Sequence, residues 1–119
     1  MPLIRVIGNN TYIGNRSVLA SSEGCLIKIG ENCAISHNVR IYTSNRDPAD
    51  IISEKSVISI LKGNVIIGNN VWIGANAYIN QGVSIGSHCV IGANSVITKD
   101  VPSNSIVVGA NRIIKTLNK

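Results

Sequence analysis

Aromatic side chains are almost absent from this sequence. It has no phenylalanine, one tryptophan and three tyrosines among 119 residues. Aromatic residues usually dominate the packing of a core, so this core must be built from aliphatic side chains, within a hydrophobic content of 45%. Isoleucine is prominent among them, and β-branched residues favour strands. We therefore expect an all-β chain.

Long hydrophobic runs are also missing. No apolar stretch approaches the roughly 20 residues that a membrane-spanning helix needs, and the N-terminus lacks the apolar segment of a signal peptide. The sequence therefore predicts a soluble, cytoplasmic protein without membrane insertion. With 119 residues the chain can build one core but not two ordinary ones, which predicts a single domain spanning residues 1–119.

Cysteine and acidic residues are scarce. Cys25, Cys33 and Cys89 are an odd number without metal-ligand spacing, so we predict buried small side chains. Eleven basic and six acidic residues give a net charge of +5. The basic residues are dispersed, and aromatic platforms for stacking on nucleobases are missing. This composition favours a small polyanionic cofactor over nucleic acid.

The sequence does have a repeat of six residues. From Ile67 onward an isoleucine recurs at every sixth position, and a small or β-branched residue follows it four positions later. The isoleucines of this column are Ile67, Ile73, Ile79, Ile85, Ile91 and Ile97. The same frame appears upstream from Ile7 to Ile41 and slips between Leu19 and Ile29.

A period of six fits a coil of three short flat faces, each contributing one repeat, with 18 residues per turn. Both columns then point inward and bury an aliphatic ladder when coils stack. The corners need residues that tolerate positive φ, which we assign to Asn10, Asn32, Asn38, Asn70, Asn76, Gly82 and Asn94. The sequence therefore predicts a parallel β-helix. An ordinary sandwich would instead show period-two alternation.

Two segments interrupt the repeat. Pro48 and several charged residues break the frame from about residue 47 to residue 64, which predicts a loop extruded from the coil. Loops that project from a rigid scaffold are frequent sites of function. After Pro102 the pattern fades, and residues 103–119 are predicted to form a short cap over the last open coil.

Three segments of the repeat resemble a known family. Val71–Ala75, Ile91–Val96 and Thr98–Pro102 closely resemble the hexapeptide-repeat acyltransferases. The order of coil, loop and VWIGANAYI is similar to sugar O-acetyltransferases of the galactoside, maltose and surface-polysaccharide type, over roughly Ile27 to the C-terminus. This resemblance implies a left-handed β-helix and a homotrimer with sites between subunits. It also implies acetyl-CoA as donor and a small-molecule sugar acceptor.

Histidine is the usual base for acyl transfer to a hydroxyl or amine, and the chain has two. His88 lies in the corner column of asparagines, so we interpret it as a turn residue. His37 lies one position before that column and is the candidate general base. Its placement resembles the I-x-H-D histidine of related nucleotide-sugar acyltransferases. The alternative for His37 is a surface turn residue.

The start of the loop departs from the family. Galactoside and maltose acetyltransferases carry their base in a segment similar to Y-T-x-x-H, where this sequence has Arg46. Arginine stays protonated and cannot be a base, so Arg46 is assigned to an anionic acceptor or an oxyanion. Asp47 is a candidate for orienting a histidine ring. The alternative for Asp47 is a turn residue at the loop start.

The resemblance also implies the site of the cofactor. Its pantetheine arm would lie against Trp72 and the backbone near Ala75 and Ala93, which are 18 residues apart. Its adenine and phosphate end would be held by Thr98, Lys99 and Arg112, since cations suit phosphate. The segment before Arg112 departs from the usual G-x-P-A-K/R pattern because it lacks the proline and one residue.

Three alternatives to sugar O-acetylation stay open at this point. One is N-acetylation of an amino sugar. The second is a catalytically impaired structural β-helix that still binds CoA, which the arginine at the familiar histidine place makes credible. The third is a γ-type carbonic anhydrase, but that enzyme needs three histidines on zinc, and two without shared spacing disfavour it. We therefore expect no metal site.

Overall fold

Stacked coils form the body of the protein. The computed structural model describes residues 4–117, so residues 1–3 and 118–119 of the predicted domain lie outside the described part. In chain order the elements are β1 (Ile4–Ile7), β2 (Tyr12–Ile13), β3 (Val18–Ala20), β4 (Leu26–Ile29), β5 (Ala34–Ile35), β6 (Arg40–Tyr42), β7 (Ser44–Arg46), α1 (Pro48–Ile52), β8 (Ile60–Lys62), β9 (Val65–Ile67), β10 (Trp72–Ile73), β11 (Tyr78–Ile79), β12 (Ser84–Ile85), β13 (Val90–Ile91), β14 (Val96–Ile97), β15 (Ser105–Val108) and β16 (Arg112–Thr116).

Each full coil gives one strand to each of three parallel sheets. The first sheet has the order β1-β4-β9-β12, the second β16-β15-β13-β10-β5-β2 and the third β14-β11-β6-β3. Strands that are neighbours in a sheet come from successive coils, and Ile67 pairs with Ile85 as Ile73 pairs with Ile91. This confirms the all-β, left-handed parallel β-helix.

The inward columns form the core. The isoleucines of the column from Ile29 to Ile97 are all buried, and Val39, Val71 and Ala77 of the small column pack with them. Burial of each such aliphatic side chain contributes about 1.5–3 kcal/mol, so stacking supplies the stability that a single coil lacks. All three cysteines are buried and free, as predicted.

The corners use left-handed backbone. All seven predicted corner residues have positive φ, from 56° at Asn38 to 77° at Gly82. His88 has φ of 58°, which confirms that it is a turn residue. Arg16, with φ of 64°, occupies the same kind of position, three residues after Ile13, although it was not among the predicted corner residues. Corners therefore follow the repeat even where asparagine is replaced.

The extruded segment leaves the coil at Thr43, earlier than the predicted start near Asp47, and returns at Val65. It contains an antiparallel hairpin of β7 and β8, and the short helix α1 between them. No helix within residues 4–117 is long and apolar enough to cross a membrane.

The C-terminal segment differs from a simple cap. β15 still runs parallel to β13 and therefore belongs to the coils. Only β16 turns back, antiparallel to β15, and it forms the edge of the second sheet. The coil thus continues farther than the predicted cap boundary at residue 103, because Val107 still fills an inward position beside Ile91.

Candidate active site

One edge of the prism, between the second and third sheets, carries several candidate residues in line. His37, Ala75 and Ala93 hold the same position in successive coils. The Asn76 N–H donates to the His37 carbonyl at 3.1 Å, and the Asn94 N–H donates to the Ala75 carbonyl at 2.9 Å. Neighbouring strands lie about 4.8 Å apart, so these three residues form a straight ridge. We call this line of three the alanine ridge.

Small side chains keep the alanine ridge tight. A Cβ added at Gly74 would lie 2.5 Å from the Ala93 backbone nitrogen, so successive coils approach each other backbone to backbone. Ala75 is partly exposed and Ala93 exposed, and neither side chain projects beyond a methyl group. The edge is therefore open to an extended ligand that lies along it.

His37 has a structural contact of its own. Its Nδ1 accepts a hydrogen bond from the Asn15 N–H at 2.9 Å. Asn69 and Ser87 do the same at another edge, where their side-chain oxygens accept from the backbone N–H of the coil before. Since Nδ1 is the acceptor, the neutral ring carries its proton on Nε2. The Tyr12 ring lies edge to face with the imidazole, 6.4 Å between centroids.

An open cavity of about 650 Å³ lies beside His37. Its lining consists of Asn15, Arg16, His37, Asn38, Arg40 and Asn76. The Arg40 guanidinium donates to the Asn38 side-chain oxygen at 2.7 Å, and the Asn38 amide donates to that of Asn76 at 2.7 Å. The cavity is therefore polar and basic, and its walls come from three successive coils.

Trp72 lies on the outward face of the second sheet, on the strand that leads into the corner of Ala75. Its side chain is 56% exposed and is flanked by Ala34 and Val90 of the adjoining coils. A large exposed aromatic ring beside the alanine ridge offers an apolar surface to a ligand. The structure thus places Trp72 next to the predicted pantetheine residues.

Asn111, the residue before Arg112, is hydrogen-bonded to Thr98 and to the backbone of Lys99. The Asn111 side-chain oxygen accepts from the Thr98 N–H at 2.7 Å, and its amide donates to the Thr98 hydroxyl at 2.6 Å. The Lys99 N–H contacts the same oxygen at 3.3 Å. Asn111 has φ of 59°, a backbone that proline cannot adopt. This explains why proline is unsuited to this residue.

Arg46 and Asp47 lie at a different edge from His37. β6 crosses the third sheet between His37 and these residues, so one chain does not bring the three together. Arg46 is exposed at the end of β7. The Asp47 carboxylate caps α1 by accepting from the Ala49 N–H at 2.9 Å, which fits the alternative of a loop-start turn residue.

The extruded segment is held by polar contacts at both ends. Near the coil, the Asn45 amide donates to Asn80 and Gln81, and the Tyr78 hydroxyl donates to Asn45. Farther out, buried Asp50 accepts from the Ser59 N–H at 2.9 Å and pairs with Lys55 at 3.0 Å. Hydrogen bonds from Ser59 and Lys55 lower the pKa of Asp50 from its usual 3.8.

The described residues 4–117 contain no group of three or more His, Cys, Asp or Glu placed to hold a metal.

Two models of known families match the chain. The one described as bacterial transferase hexapeptide (six repeats) matches residues 64–99. The one described as hexapeptide repeat of succinyl-transferase matches residues 6–43. A maltose O-acetyltransferase from Clostridium difficile 630 is 36% identical over 98% of this chain and 67% of its own, with a TM-score of 0.68. This chain belongs to the hexapeptide-repeat acyltransferase superfamily.

Two further acetyltransferases are similar in structure. An acetyltransferase from Vibrio cholerae O1 biovar eltor, complexed with acetyl coenzyme A, is 34% identical over 97% of this chain and 61% of its own, with a TM-score of 0.84. The polySia-specific acetyltransferase NeuO is 38% identical over 94% of this chain and 48% of its own, with a TM-score of 0.81. The chain thus spans about half to two thirds of these relatives' length.

In this hexapeptide-repeat protein, four residues of the candidate site were not predicted from the sequence, namely Asn15, Arg16, Arg40 and Asn111. Arg16 breaks the asparagine column, and that substitution was a readable signal. Arg40 precedes the column isoleucine Ile41 and gave no signal beyond its outward position. Asn111 falls where the familiar C-terminal pattern is broken, which marked the segment but not the role of the residue.

Proposed function

We propose that this protein is an acyl-CoA-dependent acyltransferase that acetylates a hydroxyl of a sugar or surface-polysaccharide precursor in the cytoplasm. The observation that carries this proposal is the alanine ridge, with His37 at one end, and with the Thr98, Lys99 and Arg112 cluster across β14 from Ala93 at the other end. The acetyl coenzyme A of the Vibrio relative and the maltose named for the Clostridium relative support donor and acceptor. Three free thiols suit a reducing compartment.

The donor fits the ridge by its chemistry. A pantetheine arm is extended and has amides and a thiol, so it can lie along the open backbone at Ala75 and Ala93. The exposed Trp72 ring, on the strand before Ala75, is available to cover one side of that path. Lys99 and Arg112 supply cations for the phosphates at the far end, where charge-assisted hydrogen bonds are strongest.

In the proposed mechanism His37 takes the proton from the acceptor hydroxyl. Acetyl-CoA supplies the thioester whose carbonyl carbon the acceptor oxygen attacks, so that a C–O bond forms, the C–S bond breaks and a thiolate leaves. His37 then returns the proton to that thiolate. A base must present a lone pair, and the Nδ1 lone pair is bound to the Asn15 N–H. The Asn15 contact is therefore broken when the acceptor binds.

The proposed assembly is a homotrimer with sites between subunits. His37 and Arg46 lie at different edges of one chain, so they can share a site only if the extruded segment comes from a neighbour. The outward face of the second sheet also exposes Tyr12 and Trp72, each by more than half, which suits coverage by another chain.

A specific observation favours a second candidate, an impaired enzyme that still binds CoA. The His37 contact with Asn15 and the arginine at position 46 each remove a free base from the site. This candidate predicts binding of acetyl-CoA without transfer.

A pair of His37 variants tests the proposal. His37→Asn keeps an acceptor for the Asn15 N–H, as Asn69 does for Glu31, whereas His37→Ala removes it. We expect acetyl-CoA to raise the Tm of the wild type and of His37→Asn alike. Thiol release with a panel of sugars and amino sugars should fall about 10²–10⁴-fold in His37→Asn. His37→Ala should additionally lose about 1 kcal/mol of stability.

The outcomes separate the candidates. Full transfer in His37→Asn would show that His37 is not the base. A Tm shift without thiol release in the wild type would favour the impaired enzyme, and no shift at saturating acetyl-CoA would refute CoA binding. Transfer only to amino groups would establish N-acetylation. Light scattering of the same samples checks the trimer, and an active monomer would contradict it.

A further inference from the structure

The cavity beside His37 contains two arginines and none of its described lining residues is acidic. Arg16 comes from the corner after β2, and Arg40 from the outward face of β6 in the next coil. Two guanidinium groups in one open cavity make a strongly anion-attracting surface, because neither is neutralised by a carboxylate of the lining.

Arg16 is unexpected for its backbone. It has φ of 64°, and the equivalent corner residues in the later coils are Asn38, Asn76 and Asn94. Asparagine adopts left-handed backbone readily, whereas arginine is uncommon there. The turn by itself would be served better by asparagine. The Arg16 side chain lines the cavity, and it differs from asparagine there chiefly by its positive charge. We therefore attribute the presence of arginine at this corner to that charge.

Arg40 is held in place by hydrogen bonds. One of its N–H groups donates to Asn38, which is itself bonded to Asn76. This chain of hydrogen bonds restrains the guanidinium, so less conformational entropy is lost when its other N–H groups bind an anion. The Nε2–H of His37 lies in the same lining and adds a further donor.

The charges of the donor lie elsewhere. In the proposed function the CoA phosphates are bound by Lys99 and Arg112, in the last coils, whereas Arg16 and Arg40 lie in the first two. The two basic regions are therefore separated along the axis, with the alanine ridge between them. Arg16 and Arg40 are therefore available to bind the second substrate, the acceptor.

We propose that the acceptor is an anionic sugar whose carboxylate or phosphate group is bound by Arg16 and Arg40 beside His37. This inference rests on the proposed function and specifies its substrate class. The contacts of the two arginines with the carboxylate or phosphate group position the sugar, so that a neighbouring hydroxyl of the sugar reaches the His37 imidazole. The paired guanidinium groups suit the planar, bidentate binding of a carboxylate as well as the oxygens of a phosphate.

Three probes that share the same sugar ring test whether a negative charge on the acceptor strengthens binding. Methyl glucuronide, methyl glucoside 6-phosphate and methyl glucoside differ at the sixth carbon by carboxylate, phosphate and hydroxyl. Binding to the CoA-loaded protein is measured by calorimetry. We expect at least one anionic probe to bind about tenfold or more tighter than the neutral one, as a charge-assisted contact requires. The stronger of the two identifies the anion. Equal binding of all three, or binding of none, overturns the proposal.

Matched variants test the residues. Arg16→Asn restores the corner asparagine, so its Tm should equal or exceed that of the wild type while anion binding falls about tenfold. Arg40→Gln should lose a similar factor. His88→Asn makes the same kind of corner change at another edge and should leave binding unchanged. Unchanged anion affinity in both arginine variants would refute their role.

The Tm shift caused by acetyl-CoA distinguishes failure of this inference from failure of the proposed function. It should persist in Arg16→Asn and Arg40→Gln if these residues serve the acceptor. If it disappears in them, the arginines bind the donor and the inference is wrong while CoA binding stands. If the wild type shows no shift, the proposed function itself fails.

Discussion

At the scale of the residue, the coil depends on small or absent side chains at some positions as much as on the apolar side chains at others. Corner residues need a backbone that side chains with a bulky Cβ avoid, and asparagine or glycine provides it at most corners. At Gly74, the residue before Ala75 of the alanine ridge, the constraint is spatial, since an added methyl group would meet the backbone of the next coil. Glycine at one position thus sets how closely two coils approach.

Gly74→Ala is therefore expected to destabilise the protein by about 1–3 kcal/mol, because the added Cβ meets the backbone nitrogen of Ala93. Gly92→Ala is the matched control at the same position one coil later. Its Cβ would first meet the Val108 Cγ1 at 3.0 Å, a side-chain atom that can move. Urea unfolding of both variants measures the difference. Equal losses would show that backbone contact is not the cause.

At the scale of the element, the extruded segment is a small structure fixed by polar groups. α1 has five residues and is too short to be stable alone. Asp47 caps its start, and Asp50 connects it to Ser59 and Lys55 near β8. Most of its apolar side chains remain exposed, with Ile52 at 83% and Val57 at 79%. The folding of this segment therefore depends on charge more than that of the coils does.

The Asp50 carboxylate makes the segment sensitive to acid. Its folded pKa lies below the ordinary 3.8, so the ionised form stabilises the fold at pH above that value. The stabilisation is lost as the pH falls through the lower, folded pKa. NMR of the Ser59 amide from about pH 5 to pH 2 should show loosening of the segment while the coil signals persist.

Asp50→Asn is the control for this titration. It removes the titrating group and the ion pair with Lys55, so the segment should be looser at neutral pH and change little further on acidification. A Ser59 titration that is identical in this variant and in the wild type would contradict the assignment to Asp50.

At the scale of the whole molecule, the protein is a stack in which each coil contacts only its neighbours. β4 and β9 pair on both sides, whereas β1 pairs only with β4 and all its residues are exposed. At the other end, β16 lies along β15. Stability in such a stack is roughly a sum of coil and interface contributions. The two ends are therefore not equivalent.

Hydrogen exchange should show this difference. We expect the amides of β1 to β3 to open at a free energy a few kcal/mol lower than those of β9 to β11, which have neighbours on both sides. Mass spectrometry of exchanged peptides measures both regions in one sample. Equal protection from end to end would mean that the coils unfold as a single cooperative unit.

The sequence by itself determined the columns, the corners, the burial of the cysteines and the superfamily. These features repeat every six residues and express what each residue type does locally, which way it points and which φ it tolerates. Only the tertiary structure decided which side chains line the cavity and that the His37 Nδ1 is hydrogen-bonded to the Asn15 N–H. Asn15, Arg16, Arg40 and Asn76 meet there because the coils stack in register in spite of the slip between Leu19 and Ile29 and of the extruded segment. That register depends on pairing between distant strands, and no local pattern specifies which side chains then face one another.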